Sequence, residues 1–304
     1  MSEIQAGANS VFQRAIRLQR EGKLDEAIAL FREAIEKNPS FSWTYFLLGE
    51  LLVKQDRLTE AAIAFKSAIK LNENFHSAHK SLADYCGKKI DVVERKHYDS
   101  VLKNNWYHIE NLEKIIAKSG KKLEGNCFYL KGKLVKGLIN KQINIYSLAK
   151  VSDKILEIGF NGGHSALIML LSNPNAKIVA FDICSHKYVV PCFEYLLKNF
   201  SSRIELVKGD SMKSLPEYII KFPNQKFDLL HIDGGHKAIV ANTDFENCLK
   251  LSFYGSYIIW DDVRAKHLND LWHKYISEGY VREVQGLLPT NIARHAVGQC
   301  LKPS

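Results

Sequence analysis

The 304-residue sequence predicts an α/β fold with a doubly wound parallel sheet, preceded by an all-α domain of helical repeats. A 34-residue internal period near the amino terminus is typical of stacked helical hairpins. Further along, five short apolar runs alternate with helix-length segments, which is typical of a parallel sheet with helices on both faces. With 46% hydrophobic residues, the chain is long enough to fill two cores.

The repeat domain is predicted over residues 1–88. Its recurring positions are Ala27, Phe31, Ala34 and Pro39 in one unit and Ala61, Phe65 and Ala68 one period later. Gly49 lies on the first helix of the second unit, where small and large residues alternate so that helices pack closely. These residues resemble the tetratricopeptide repeat family over about residues 8–86, as two repeats and a capping helix. The resemblance implies a protein-binding surface or a docking and self-association element, and the sequence leaves both open.

Residues 89–125 are predicted to form a basic helical connector. The net charge of the chain is +9, and residues 87–150 hold 14 Lys or Arg against 6 Asp or Glu. A solvated helical face explains this run better than a nucleic-acid surface, because no aromatic platform accompanies it. A break in the helix is expected near Gly120 and Gly125.

The sequence contains no evident secretory signal or membrane span. The first ten residues, MSEIQAGANS, lack the basic start and apolar centre of a signal, and no window approaches eighteen uninterrupted apolar residues. The six cysteines form no C-x-x-C pair, which argues against a zinc cluster and a disulfide framework. We therefore expect a soluble, cytoplasmic protein with reduced thiols.

The second domain is predicted over residues 126–304. Its five apolar runs are KILEIG, KIVAFD, IELVKGD, FDLLHID and SYIIWDD. Open parallel sheets bind ligands at the carboxyl ends of their strands, and acidic residues stand at the ends of these runs. We therefore expect a ligand site at that edge of the sheet.

The loop after the first run, from Glu157 to Ala166, reads E-I-G-F-N-G-G-H-S-A. A dinucleotide fingerprint requires glycine at positions 159, 161 and 164, and the last two are Asn161 and His164. The loop instead combines a glycine turn with the carboxylate of Glu157 and the hydroxyl of Ser165. This set favours an amino-acid-like ligand, because glycines allow close approach, a helix start favours a carboxylate, and a glutamate can face an ammonium.

The next two runs also end in acids. Asp182 closes the second, where an acid would accept ribose hydroxyls, and Asp210 with Ser211 follows the third, near the expected adenine edge. Together with the E-x-G-x-x-x-G-x-S loop, these residues resemble the class I S-adenosylmethionine-dependent methyltransferases, which have a Rossmann-like sheet. The resemblance implies S-adenosylmethionine as cofactor, held by Glu157, Gly159, Asn161, Gly163, Ser165, Asp182, Asp210 and Ser211.

Three carboxylates follow the last two runs. Asp233 closes the fourth, and Asp261 and Asp262 close the fifth, so we expect them side by side. Such anions repel one another unless they are protonated or neutralised, and oxygen ligands suit Mg²⁺ or another hard divalent cation. All three are therefore predicted metal ligands. His236 follows Asp233 by three residues, and the ordinary histidine pKa of about 6.5 suits a general base.

This arrangement resembles the metal-dependent O-methyltransferases of the catechol and macrolide-sugar types. In those families one Asp closes the fourth strand, a pair of ligands closes the fifth, and a base follows the first Asp by three residues. Histidine at that position is typical of the sugar type. The resemblance implies Asp233 and His236 as catalytic residues and a sugar, glycan or similar diol as methyl acceptor. His231 and Trp260, within strands, are interpreted as core residues.

The sequence thus predicts an S-adenosylmethionine-dependent, metal-dependent O-methyltransferase. One alternative is a non-catalytic scaffold with partner-binding repeats. The presence of His236 and of all the acidic residues expected at the site argues against it. A second alternative is a methyltransferase acting on nitrogen in a protein or nucleic acid. The sequence contains no N-P-P-Y-like tetrapeptide, which argues against this alternative. A nicotinamide dehydrogenase ranks last because of the glycine positions.

Overall fold

The computed structural model describes residues 3–86, 92–120, 127–130, 133–200, 202–290 and 295–303. The chain divides into two compact units, residues 1–88 and residues 89–304. One of the two predicted helix breaks, Gly120, comes just after the end of a helix at Lys118. Gly120 has a left-handed backbone (φ 71°), as is common after the carboxyl terminus of a helix. Gly125 lies outside the described residues.

The described part of the first unit is helical. Its elements are α1 (Glu3–Arg20), α2 (Leu24–Lys37), α3 (Ser42–Lys54), α4 (Leu58–Leu71) and α5 (His76–Ser81), followed by a π-helical turn at Leu82–Cys86. α1 packs against α2, α3 packs against α4, and α2 contacts α3. The unit is therefore a stack of helical hairpins, as the 34-residue period predicts.

The recurring alanine and phenylalanine positions form the core of this unit. Ala27, Phe31, Ala61 and Phe65 are all completely buried. A Cβ atom added to Gly49 on α3 would lie 2.5 Å from Cε1 of Phe65 on α4. Glycine at this position therefore allows the two helices of the second hairpin to approach closely.

The second unit contains one large sheet with helices on both faces. Its elements are α6 (Arg95–Lys118), β1 (Tyr129–Leu130), β2 (Lys133–Leu134), α7 (Ile139–Lys150), β3 (Lys154–Ile158), α8 (His164–Ser172), β4 (Lys177–Asp182), α9 (Val189–Asn199), β5 (Ile204–Lys208), α10 (Ser211–Lys221), β6 (Phe227–Ile232), α11 (Ala238–Lys250), β7 (Ser252–Trp260), α12 (Lys266–Ser277), β8 (Val281–Glu283) and β9 (Ala296–Cys300). β1 and β2 pair with each other outside the large sheet.

The large sheet has the strand order β5-β4-β3-β6-β7-β9-β8. β3 to β7 are parallel to one another, whereas β9 runs antiparallel to β7 and β8. Each of the five predicted apolar runs coincides with one of the parallel strands, although β7 begins four residues before its run. The predicted α/β fold class is therefore confirmed, with an antiparallel edge that the apolar runs did not indicate.

Each face of the sheet has its own apolar core. One face packs against α6 to α9 through residues such as Leu112, Leu167 and Leu196. The other packs against α10 to α12 through residues such as Leu215, Phe245 and Trp272. Trp260 is buried in this second core and stacks on Phe245 with ring centroids 4.9 Å apart, so its interpretation as a core residue agrees with the structure.

α6 lies within the segment predicted as a basic connector. Its buried residues Ile109, Leu112 and Ile116 join the core of the second unit, while Lys103 and Lys114 are exposed. The apolar side of this helix is thus part of the sheet-bearing unit, and its basic side chains face solvent.

Among the described residues, no helix combines the length and the apolar character that a membrane crossing requires.

Replacing Gly49 by Ala tests the packing of the second hairpin. We expect a loss of about 1–3 kcal/mol in the free energy of unfolding, because the added Cβ overlaps the Phe65 ring. Urea denaturation followed by circular dichroism measures this change. Gly7→Ala on α1 is the control, since nothing lies within 4 Å of its Cβ position; there a gain of about 0.5–1 kcal/mol is expected. Equal effects at the two positions would contradict the packing argument.

Candidate active site

The predicted site residues lie at the carboxyl edge of the large sheet. The strand order changes direction at β3, which has β4 on one side and β6 on the other. A crevice opens outside such a point in sheets of this kind. Glu157 on β3 pairs in register with His231 on β6, so the two side chains stand next to each other at this crevice.

The loop after β3 lies against the end of β6. Gly159 has a left-handed backbone (φ 92°), and a Cβ atom added there would lie 2.0 Å from the carbonyl oxygen of Asp233. Gly163 precedes α8, also with a positive φ of 76°, and a Cβ there would lie 2.7 Å from the Phe160 ring. Both positions require glycine, because a side chain would meet strain and overlap.

Glu157 is a buried carboxylate with two donors beside it. Its Oε1 accepts a hydrogen bond from Ser165 Oγ at 2.5 Å and lies 3.1 Å from His231 Nδ1. Its Oε2 is buried and has no hydrogen-bond partner among the described residues. A buried acceptor without a donor is costly, so this atom is a candidate for contact with a ligand.

A small cavity adjoins Glu157. Its lining includes both partners of the glutamate and the glycine loop: Cys127, Lys141, Gly159, Phe160, Asn161, Gly162, His164, Ser165, His231 and Asp233. Burial lowers the pKa of His164 to about 4, so this lining residue is neutral at pH 7.

His231 is a buried, hydrogen-bonded histidine, as its place in an apolar run predicted. Burial by itself disfavours the charged ring, but the hydrogen bond to Glu157 and the nearby carboxylates of Asp233 and Asp261 outweigh it. They raise the pKa of His231.

Asp182 connects the end of β4 to the glycine loop. Its carboxylate accepts hydrogen bonds from the backbone amides of Asn161 (2.8 Å) and Cys184 (2.6 Å). Asn161, which has a left-handed backbone, also accepts a hydrogen bond from Tyr188 Oη at 2.6 Å through its side-chain oxygen. Asp182 is only partly buried, so its oxygens keep lone pairs for further donors.

Asp210 and Ser211 stand at the start of α10. One carboxylate oxygen of Asp210 accepts a hydrogen bond from the backbone amide of Met212 at 3.0 Å and caps the helix. The residue is exposed. Its second carboxylate oxygen accepts no hydrogen bond from the described residues. Both residues thus lie at the same edge of the sheet as Asp182.

The predicted metal ligands fall into two groups rather than one. In the inner group, ligand atoms of His231, Asp233 and Asp261 lie within 4.8 Å of one another. In the outer group, the same holds for Asp233, His236 and Asp262. Asp233 belongs to both, whereas Asp261 and Asp262 are separated. The backbone of Asp262 is left-handed (φ 55°), which accounts for two consecutive residues serving different groups.

The outer group is open to solvent. His236 Nε2 lies 3.0 Å from Asp262 Oδ2, and the two side chains are 61% and 41% exposed. The hydrogen bond to Asp262 raises the pKa of His236 despite partial burial. This pair has the composition of a base with an orienting carboxylate.

Lys141 on α7 is a site residue that the sequence analysis missed. Its ammonium contacts Asp261 Oδ2, and both side chains are almost completely buried. Burial by itself would raise the pKa of Asp261, but the Lys141 ammonium holds it below its ordinary value. Lys141 is spaced by four and seven residues from the buried Ile145 and Leu148, which places it on the apolar side of the helix. A lysine aligned with apolar positions was the available signal.

Asp233 has an unusual electrostatic environment. Burial and the adjacent negative charge of Asp261 raise the pKa of its carboxyl to about 7, although Lys141 and His231 act in the opposite direction.

An open cleft of about 740 Å³ lies beside the residues that follow Asp262 in the chain. Val263 and Arg264, which directly follow Asp262, line it together with Asn144 and His295. Burial lowers the pKa of His295 to about 4, and its Nε2 lies 3.2 Å from the side-chain amide of Asn144. The preceding residue, Arg294, lies outside the described residues.

Two families of known proteins match the chain. Residues 156–263 match the family described as a methyltransferase domain, and residues 12–74 match the tetratricopeptide repeat. Both predicted resemblances are confirmed by these matches, one in each unit of the chain. The protein thus combines a tetratricopeptide repeat region with a methyltransferase domain. No curated protein matches the sequence.

Similar solved structures include three O-methyltransferases. CalS11, a TDP-rhamnose 3'-O-methyltransferase of calicheamicin biosynthesis, has 19% identity over 54% of this chain and 80% of its own, with a TM-score of 0.45. The O-methyltransferase from Bacillus cereus in complex with SAH has 19% identity over 76% and 99%, with a TM-score of 0.44. TomG from Streptomyces achromogenes, in complex with SAM, has 15% identity over 75% and 99%, with a TM-score of 0.46. Similarity at this level assigns neither an acceptor nor a metal to this chain.

Replacing Gly159 by Ala tests the close approach of the loop to β6. Gly279→Ala is the matched control, because Gly279 also has a positive φ (72°) but its Cβ position is 3.4 Å from the nearest atom. The control should lose about 1–2 kcal/mol of unfolding free energy from backbone strain alone. Gly159→Ala should lose about 1–3 kcal/mol more, since its Cβ overlaps the Asp233 carbonyl. Equal losses in urea denaturation would show that the overlap is relieved without cost.

Proposed function

We propose that this protein is an S-adenosylmethionine-dependent and divalent-metal-dependent O-methyltransferase that acts on a hydroxyl of a sugar, glycan or similar small diol. The observation that carries the proposal is the position of Glu157. Its buried Oε2 has no partner among the described residues, and its other oxygen is bound by Ser165 and His231 at the edge of the glycine-loop cavity. The outer group of Asp233, His236 and Asp262 lies in the segments that follow β6 and β7 at the same edge.

The proposed cofactor seat runs along the ends of β3, β4 and β5. Glu157 would accept hydrogen bonds from the ammonium of the methionine portion, since it is the buried acceptor with spare capacity. Asp182 would bind the ribose hydroxyls while its backbone contacts fix the loop. Asp210 and Ser211 would contact the adenine. Gly159, Asn161 and Gly163 shape the loop through their positive φ angles.

The chemistry of the cofactor is the transfer of its sulfonium-bound methyl group to an oxygen nucleophile, in which a carbon–oxygen bond forms as the carbon–sulfur bond breaks. The proton of the acceptor hydroxyl would pass to His236. With its Nε2–H donating to Asp262, the nitrogen left to accept this proton is Nδ1. Asp262 would hold the ring in this tautomer and stabilise its protonated form, consistent with the raised pKa of His236.

The residues present fit a divalent cation in the outer group. Asp233 and Asp262 supply carboxylate oxygens within reach of one point, and their partial exposure leaves positions for water and substrate. A cation there would neutralise both carboxylates and lower the pKa of an adjacent hydroxyl. Asp261, predicted as a third ligand, is engaged by Lys141 and fits less well.

The cleft beside the residues that follow Asp262 supports a small polar acceptor. Polar side chains of Asn144, Asn269 and Thr290 alternate in its lining with apolar ones such as Leu288. Such a mixture suits a molecule with several hydroxyls on a carbon ring, because pockets combine apolar contact with a few placed polar groups.

The repeat unit is proposed as an interaction module. Its exposed aromatic side chains include Phe41 and Trp43, which are 40% and 47% exposed. Exposed aromatic residues are common at protein interfaces, so these residues support a protein partner or self-association.

The direct test is methyl transfer from labelled S-adenosylmethionine to panels of sugars, glycans and catechols, with Mg²⁺ and again with EDTA. We expect transfer to a hydroxyl acceptor that depends on the metal, because a cation is needed to make the hydroxyl acidic. Transfer to protein amines in place of these acceptors would contradict the proposal. Full activity in EDTA would contradict its metal requirement alone.

Replacing Glu157 by Gln tests the cofactor seat. Hydrogen bonds to a charged partner contribute about 1.5–3 kcal/mol, so the affinity for S-adenosylhomocysteine should fall by about 10- to 100-fold. Isothermal titration calorimetry measures this affinity. Glu205→Gln, an exposed position on β5, is the control and should bind as the wild type does. Unchanged affinity in Glu157→Gln would remove the main support for the seat.

Replacing His236 by Asn tests the proposed base. Turnover should fall by about 10²- to 10⁴-fold, the usual contribution of general base catalysis, while the affinity for S-adenosylhomocysteine stays the same. The matched control is His273→Asn, an exposed histidine on α12, which should retain full turnover. A parallel loss of cofactor affinity in His236→Asn would instead indicate a role in binding.

A further inference from the structure

We propose that Lys141 is the resident cation of the inner group and excludes Asp261 from metal ligation, so that a divalent ion contacts Asp233 and Asp262 only. This inference deepens the proposed function and rests on its outer metal site. It names a positioning residue, Lys141, and removes one of the three predicted ligands.

Both oxygens of Asp261 are already engaged. Its Oδ2 contacts the Lys141 ammonium, and its Oδ1 accepts a hydrogen bond from the backbone amide of Asp262 at 2.9 Å. The oxygens keep further lone pairs, but a metal ion bound at Oδ2 would lie beside the Lys141 ammonium, where like charges repel. The donor at Oδ2 is an ammonium, whose bond to a carboxylate is charge-assisted and therefore among the stronger ones.

Lys141 cannot readily leave the inner group. Its side chain is 5% exposed and extends from the apolar side of α7, where Ile145 and Leu148 are completely buried. It also lines the glycine-loop cavity with Asp233 and His231. Moving the ammonium away would leave it buried without a carboxylate, and binding a divalent ion beside it would place like charges together in a low-dielectric region.

The inner group already contains a buried cation, the Lys141 ammonium. Lys141 and His231 face the carboxylates of Glu157 and Asp261, and Asp233 is shared with the outer group. The outer group has no lysine or arginine among its ion pairs in the described part of the chain, only His236. An ion arriving from solvent therefore meets Asp233 and Asp262 with no buried lysine ammonium bound to either carboxylate.

Binding of Mn²⁺ measured by electron paramagnetic resonance tests this division, since Mn²⁺ prefers the same oxygen ligands as Mg²⁺. Lys141→Met should bind Mn²⁺ at least about 10-fold more tightly than the wild type, because it frees Asp261 as a further carboxylate ligand. Lys141→Arg, which keeps the cation, should bind as the wild type does. Asp261→Asn should change the wild-type affinity by less than about twofold, whereas Asp262→Asn should weaken it at least about 10-fold.

A double variant and a crystal structure complete the test. Adding Asp261→Asn to Lys141→Met should abolish the gain in Mn²⁺ affinity. In crystals of the wild-type protein with Mn²⁺, the anomalous signal should lie in contact with Asp233 and Asp262 and away from Asp261. The crystal experiment needs no substitution in the buried pair, so it decides the question even when Lys141→Met does not fold.

The proposal is overturned when Asp261→Asn weakens Mn²⁺ binding as much as Asp262→Asn does, when the crystallographic ion contacts Asp261, or when neither the wild type nor Lys141→Met binds Mn²⁺. Binding by Lys141→Met but not by the wild type supports it, while contradicting the metal requirement of the proposed function. Binding of S-adenosylhomocysteine and methyl transfer report on the proposed function separately.

Discussion

The buried ion pair between Lys141 and Asp261 stabilises the carboxyl edge of the sheet. Asp261 directly follows β7 and is buried where an isolated carboxylate would be strongly destabilising, and the ammonium from α7 compensates its charge. The same ammonium acts on Asp233 across the group. The geometry of the edge therefore depends on α7, a helix that precedes every strand of the large sheet in the chain.

A second constraint is the contact between backbones at β3 and β6. Because Gly159 lies against the carbonyl of Asp233, the cofactor loop and the strand that delivers Asp233 are fixed relative to each other. Glu157 and His231 are paired across the same two strands. The proposed cofactor seat and the outer group are thus adjacent because of the sheet topology, since both lie near the point where the strand order reverses at β3. Alignment of two reactants is a large part of catalysis in group transfer.

Much of the fold followed from local patterns. The five apolar runs predicted the five parallel strands, and the 34-residue period predicted the helical hairpins. Both predictions were possible because strands and helices produce hydrophobic patterns over short stretches of sequence. The antiparallel pair β8 and β9 was not predicted: Val281–Glu283 is too short for a clear alternation, and its partner lies at the other end of a loop. The packing of α6 onto the sheet was also missed, because its basic exposed side dominated the composition.

The sequence by itself determined which residues stand at the strand ends, since an acid after an apolar run is a local feature. Only the tertiary structure decided how those acids are partnered. Asp261 and Asp262 are neighbours in the chain, yet one faces a buried lysine 120 residues earlier and the other an exposed histidine. Which charged groups pair depends on the distances between them and on their burial. Both are set only when the helices and strands pack together, so they cannot be read from the linear sequence.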